Sequence, residues 1–276
     1  MKKKTIALGS AALALIFLAS PLYSHDFWLI PNAFQYAQGD EILVHGQTSS
    51  DFPTSLSAVT EDRVASAQVL TRHSDVSLEN VDTEGNSLRV RHVAGAEGQA
   101  IVAVAIHPRS IPESPESFRR YLTLEGAPEA LQRYEREGIL PTDSITRRYA
   151  KYAKTLVEVG TRGPRAYARL AGHPLEFVPL SDPSETGPGG TLRFRMLFLG
   201  EPVAHARGHA SVAESAEAAT AYEHAEFETD ANGEFDIATA GDGIWNVRAL
   251  HIVPAPEGSG ADWDVHWATF VWGTSE

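Results

Sequence analysis

The chain is cut into short β-prone runs by turn residues, and this punctuation restricts its fold more than any other feature. EILVHG (41–46), SLRVRHV (87–93) and QAIVAVAIHP (99–108) are rich in Val and Ile and are bounded by Gly, Asp and Asn. The style returns in TLRFRMLFLG (191–200), GEFDIAT (233–239), GIWNVRALHIV (243–253) and VHWATFVW (265–272). Thr229-Asp230-Ala231-Asn232-Gly233 reads as a turn that feeds a strand. The expectation is a mainly β protein.

A helical island separates the two sets of runs. Ser114-Pro115-Glu116 supplies a cap, a first-position proline and an acid, which together start a helix. Pro128 opens a second helix that stops at Gly138. A third is predicted from a cap at Asp143 or Ser144 to Gly160. There Ile145, Tyr149, Tyr152, Ala153, Leu156 and Val159 follow a 3–4 spacing. Arg147, Arg148, Lys151 and Lys154 then form a basic stripe on that helix, suited to an anion or to surface ion pairs.

An internal echo pairs the two β-rich halves. HDFWLIP (25–31) and HPLEFVP (173–179) share a His and a Pro six residues apart, and each precedes a glycine-led strand. Strand alternation places Phe27 and Leu29 toward a core, with Trp28 outward. The expected plan is a leader over 1–24, a β-sandwich over 25–110, a helical connector over 111–162 and a second β-sandwich over 163–276.

The leader reads MKKKTIALGSAALALIFLASPLYS. Three lysines precede an apolar run too short to span a bilayer, the layout of a secretory signal. A cut after Ser24 leaves His25 as the first residue. The chain has no cysteine, so an exported form uses no disulfide, and a soluble periplasmic protein is expected. Loss of the three leader lysines moves the net charge from −13 to −16. Nucleic acid and anionic membrane both need clustered positive charge, so neither is expected as a partner, and no membrane insertion is expected after cleavage.

Nucleophile and phosphate motifs are missing: no G-x-S-x-G, no Walker A, no G-x-G-x-x-G and no H-E-x-x-H. No catalytic residue is assigned, and the chain reads as a binding protein more than as an enzyme. Histidine is the informative residue type, with 11 in the chain. After cleavage His25 offers a primary amine and an imidazole from one residue. The amine pKa of about 7.7–8.0 makes its deprotonation inexpensive near neutral pH. One or two further imidazoles complete a site that suits Cu(II) or Ni(II). His251, on an apolar strand face, and His45, at the end of EILVH, are the expected further ligands. His173 reads as structural, and His73, His205, His209 and His224 as solvated.

HDFWLIP, YLTLEG (121–126), RRYAKYAKTLVEVG (147–160), HPLEFVPLSDP (173–183), TDANGEF, GIWNVRALH (243–251) and ADWDVHWATF (261–270) together resemble a bacterial exported domain family of unknown function. That family is associated with periplasmic uptake of cobalt or nickel. The resemblance implies a metal-binding protein serving an envelope transporter, with His25 as the matching early histidine. A chain that begins with histidine is also similar to the histidine brace of copper proteins. The second half resembles prealbumin-like sandwiches. Two other functions fit the sequence. One is a carbohydrate- or protein-binding module with Trp28, Trp263, Trp267 and Trp272 as an aromatic patch; the other is a copper oxidase.

Overall fold

Two long strands carry the architecture. β8 (Gly98–Glu113) and β9 (Ile145–Val159) pair antiparallel, with Gly98 opposite Val159 and Glu113 opposite Ile145. They are known from a computed structural model, which describes residues 25–273 apart from 126, 140–142 and 240. The leader lies outside the described residues.

The N-terminal half supplies β1 (Asp26–Pro31), β2 (Gln35–Tyr36), β3 (Glu41–Ser49), β4 (Val64–Thr71), β5 (Asp75–Ser77), β6 (Val81–Glu84) and β7 (Ser87–Val93). After β9 come β10 (Leu175–Pro179), β11 (Thr191–Phe198), β12 (Glu201–Pro202), β13 (Arg207–Ala213), β14 (Tyr222–Glu228), β15 (Glu234–Ala238), β16 (Ile244–Pro254) and β17 (Trp263–Gly273). A nine-stranded sheet runs in the order β14-β13-β16-β17-β9-β8-β4-β5, with β2 also on β9. It therefore takes strands from both halves of the chain.

Smaller sheets cover its two faces. On one side β1-β3-β7-β6 packs Phe27, Leu29, Ile42, Val44, Leu88 and Val90 against Val102, Val104, Ala153 and Val157. On the other, β10-β11-β12, with β15 on β11, packs Leu175, Phe177, Phe194 and Met196 against Trp245, Val247, Phe270 and Trp272. The chain is thus mainly β, with two sandwich cores that share a central sheet.

The echo in the sequence corresponds to these outer sheets. β1 pairs antiparallel with β3, and β10 pairs antiparallel with β11. Both strands are buried along their whole length. Trp28 is therefore not outward. It lies at 0 % exposure against Ala213 and Val271 of the central sheet and Phe52 of the loop after β3.

Two of the three expected helices form. α1 (Pro115–Leu124) starts at Ser114, whose hydroxyl accepts the Ser117 backbone N–H at 3.1 Å. α2 (Pro128–Glu137) ends on Gly138 at φ 67°, a left-handed cap that suits a residue without Cβ. Phe118, Tyr121, Leu122 and Tyr134 pack on Leu250, Ile252, Trp263, Val265 and Trp267. The third predicted helix is β9 instead. This strand is central, antiparallel to β8 and parallel to β17, and nearly all of it is buried on both faces. A strand with two covered faces needs apolar residues everywhere, so a 3–4 spacing can be picked out by accident.

Candidate functional site

β9 as a strand changes what its basic residues can do. Successive side chains of a strand point to opposite faces, so the expected stripe is split. Arg147 meets Glu113 at 2.6 Å, and Arg148 meets Asp264 through two bonds of 2.7 and 2.6 Å. Lys154 donates to Glu176 of β10 at 2.8 Å. Lys151, facing the other way, donates to the backbone carbonyl of His25, just ahead of β1.

The three histidines expected to bind one metal occupy three places. His45 lies opposite Ile30 on β1, five residues from His25 and roughly 16 Å along the strand. Its Nε2–H donates to Asn32 Oδ1 at 2.9 Å. His251 lies across the sheet from His25. Its strand partner His266 shares a 3.1 Å hydrogen bond with Tyr152, whose neighbour Lys151 reaches His25 on the opposite face. His251 and His266 both pack on Phe198, at 4.6 and 4.9 Å between ring centres. Burial, reinforced by His266 and Arg133, holds the His251 pKa down to about 4. Among the described residues, no group of three or more His, Asp or Glu side chains has the geometry to hold a metal.

What gathers at His25 is a different set of groups. Asp26 is 3 % exposed, and its Oδ2 lies 3.3 Å from Arg248 of β16. Burial raises its pKa, against the opposing charges of Arg248, Lys151, His209 and His25. Lys151 is pushed down to about 8 by burial, with Asp26 working the other way. Glu125, at the end of α1, is pushed up to about 7, first by burial and then by the Asp26 charge. Asp26 thus sits among charges carried by α1, β9, β13 and β16. Its Oδ1 is buried and has no hydrogen-bond partner. Such an orphan costs about 1–3 kcal/mol, which a ligand or ion that satisfied it would recover.

A cleft of about 250 Å³ opens beside it, lined by Asp26, His209, Ser211, Asn246 and Arg248 among others. His209 is the residue that sequence reasoning missed. Its neighbours along the chain are small and polar, which reads as a solvated loop. In fact it lies on β13, next to β16, opposite Arg248. Only the strand pairing reveals this.

The proposed aromatic patch does not exist as a surface. Trp28, Trp263, Trp267 and Trp272 are 0, 2, 1 and 1 % exposed. Each stands on a sheet face that another layer covers, so these rings are core.

The fold and cleft define a mainly β protein of sandwiched sheets, with a polar cleft at the head of its first strand. The chain belongs to the family described as a domain of unknown function, DUF4198, which residues 22–253 match. No curated protein matches the chain. Among solved structures it is similar to a Salmonella alpha-2-macroglobulin reacted with methylamine, with 12 % identity and a TM-score of 0.24. That match covers 90 % of this chain and 15 % of the macroglobulin's length. The Escherichia coli adhesin FdeC gives 13 % identity and a TM-score of 0.25, over 89 % of this chain and 65 % of the adhesin. The D0-D1 domain of intimin gives 11 % and 0.22, over 90 % and 98 %. Scores this low do not define a shared architecture.

Proposed function

We propose that the protein is an exported carrier of a divalent transition metal, nickel, cobalt or copper, and assists its uptake or delivery in the periplasm. A metal transporter of the envelope would be its partner. The observation that supports this reading is the buried, unpartnered Asp26 Oδ1 beside His25, with His209 in electrostatic reach. His25 supplies the imidazole and, once the leader is cut after Ser24, the amine. His209 replaces His251 and His45 as the expected further ligand. The amine is the donor that the side chains lack, which is consistent with their failing to form a three-ligand group by themselves. When bound, the ion contributes positive charge against Asp26.

The chain's own groups prepare the place. Lys151 grips the His25 carbonyl and so fixes the residue from which amine and imidazole project. Arg248 holds one Asp26 oxygen and leaves the other for a ligand. Trp28, packed edge-on against Phe52 at 5.2 Å, anchors β1 so that its head cannot drift.

The test is calorimetric titration of the exported protein with Ni(II), Co(II) and Cu(II), after mass spectrometry has fixed its first residue. Replacing His25 by Ala, or placing one residue ahead of it, is expected to weaken binding at least tenfold, and His209→Ala to weaken it by less. Unchanged affinity in both His25 variants would sink the proposal.

A further inference from the structure

Asn246 has no role in the fold that accounts for its side chain. It lies on β16 two residues before Arg248, so the two share a sheet face. It is 1 % exposed, and neither its Nδ2 nor its Oδ1 has a hydrogen-bond partner. Nearly all buried polar groups are paired, by protein or by a bound molecule. A buried amide with neither end satisfied on the wall of a cleft can take its partners from a molecule bound there. Asn246 lines the same cleft of about 250 Å³ as Asp26, whose Oδ1 is also unpartnered.

Donors and acceptors in the cleft divide by sign. Asp26 Oδ1 and Asn246 Oδ1 accept, and together suit an ammonium group. Arg248 carries five N–H donors in a planar fork, matched to carboxylate oxygens, and Asn246 Nδ2 adds two more. The volume falls below the roughly 300–1,000 Å³ of pockets for drug-sized molecules. A ligand that fits is small and carries an ammonium and a carboxylate close together. The wall beyond Asn246 is mixed, with Trp28, Phe52 and Ala221 beside Ser50 and Thr220, and leaves room for a side chain.

We infer that the cleft binds a free α-amino acid, holding its ammonium on Asp26 and Asn246 and its carboxylate on Arg248 and Asn246. The site does not depend on a metal, and metal-free protein has it.

The experiment titrates chelator-treated full-length exported protein with each of the common amino acids. The binders are then repeated as their carboxamides, which lack the carboxylate, and as their N-acetyl forms, which lack the ammonium. At least one amino acid is expected to bind in the micromolar to millimolar range, and both derivatives to lose at least tenfold. Asn246→Leu, close in volume, is expected to abolish amino-acid binding. No binding by any amino acid overturns the inference, and so does binding that the derivatives retain in full. Both results come from the unaltered protein, so they hold even if Asn246→Leu fails to fold. Metal binding without amino-acid binding removes this inference alone, and the reverse removes only the carrier reading.

Discussion

β1 and β10 are one device used twice, with opposite outcomes. Each is a short strand buried on both sides, each opens an outer sheet, and each brings an acid to a lysine of β9. At β10 the acid is Glu176, which accepts from Lys154 at 2.8 Å and from the backbone N–H groups of Ala171 and Gly172 at 2.9 and 3.2 Å. That arrangement is closed. At β1 the acid is Asp26, held by Arg248 on one oxygen and by nothing on the other. That arrangement is open, and a cleft lies beside it. Asp26 is ion-paired on one oxygen only, and that half-open carboxylate is what separates the two ends.

The comparison can be broken most severely at the closed end. Lys154→Met strands the Glu176 carboxylate in the core, and losing one partner of a buried pair costs about 3–5 kcal/mol. Urea denaturation should show that loss, and a change below 1 kcal/mol would mean that the pair is not the clamp described.

Acid is next. His173, the sequence twin of His25, is buried with both ring nitrogens unpartnered, and burial followed by the Lys154 charge holds its pKa down to about 4. The folded pKa is depressed below the ordinary 6.5, so stability is full above about pH 6.5. It falls as the unfolded chain takes up the proton, and it levels off below about pH 4. At pH 5 the loss from this residue is about 2 kcal/mol. His173→Gln cannot take the proton, so its stability should drop by that much less between pH 7 and pH 5. Parallel denaturation curves for parent and variant at both pH values check it.

Asp26→Asn sharpens the contrast. The fold already disfavours the Asp26 charge, so stability should change by no more than about 1 kcal/mol, while the proposed metal and amino-acid affinities fall. Equal stability losses at Asp26 and Lys154 would erase the distinction between open and closed ends. The smallest effect on folding is expected from His25→Ala, which should change metal affinity and leave the melting temperature of the metal-free protein within about 2 °C. His173→Gln should do the converse.

Local signals in the sequence were legible, and pairings were not. Ser114, Pro128 and Gly138 marked their helix ends because capping is decided by neighbours along the chain. Phe27 and Leu29 read correctly as core, because β1 shows them to its own sheet's interior. Trp28 did not, since its cover comes from β13 and β17, far off in sequence. β9 was misread for the same reason: two buried faces erase the alternation that identifies a strand. The leading candidate site was half legible. His25 stood out by its place after the leader, whereas His209, Asn246 and Arg248 meet it only through the alignment of β13 with β16. The sequence favoured His45 and His251 and read His209 as solvated, and only the sheet order reverses that preference by setting His209 beside Arg248.

β17 is the last strand in chain order, yet it lies in the middle of the central sheet, between β16 and the parallel β9. Its Trp263 aligns with Arg147 and its Val271 with Thr155. Those contacts span more than a hundred residues, the kind that close late and slowly. Until β17 arrives, β9 and β16 each carry an unpaired edge able to recruit another chain. The central sheet therefore stays open at β9 and β16 until β17 has been made, and those two edges are what a holding chaperone has most to protect.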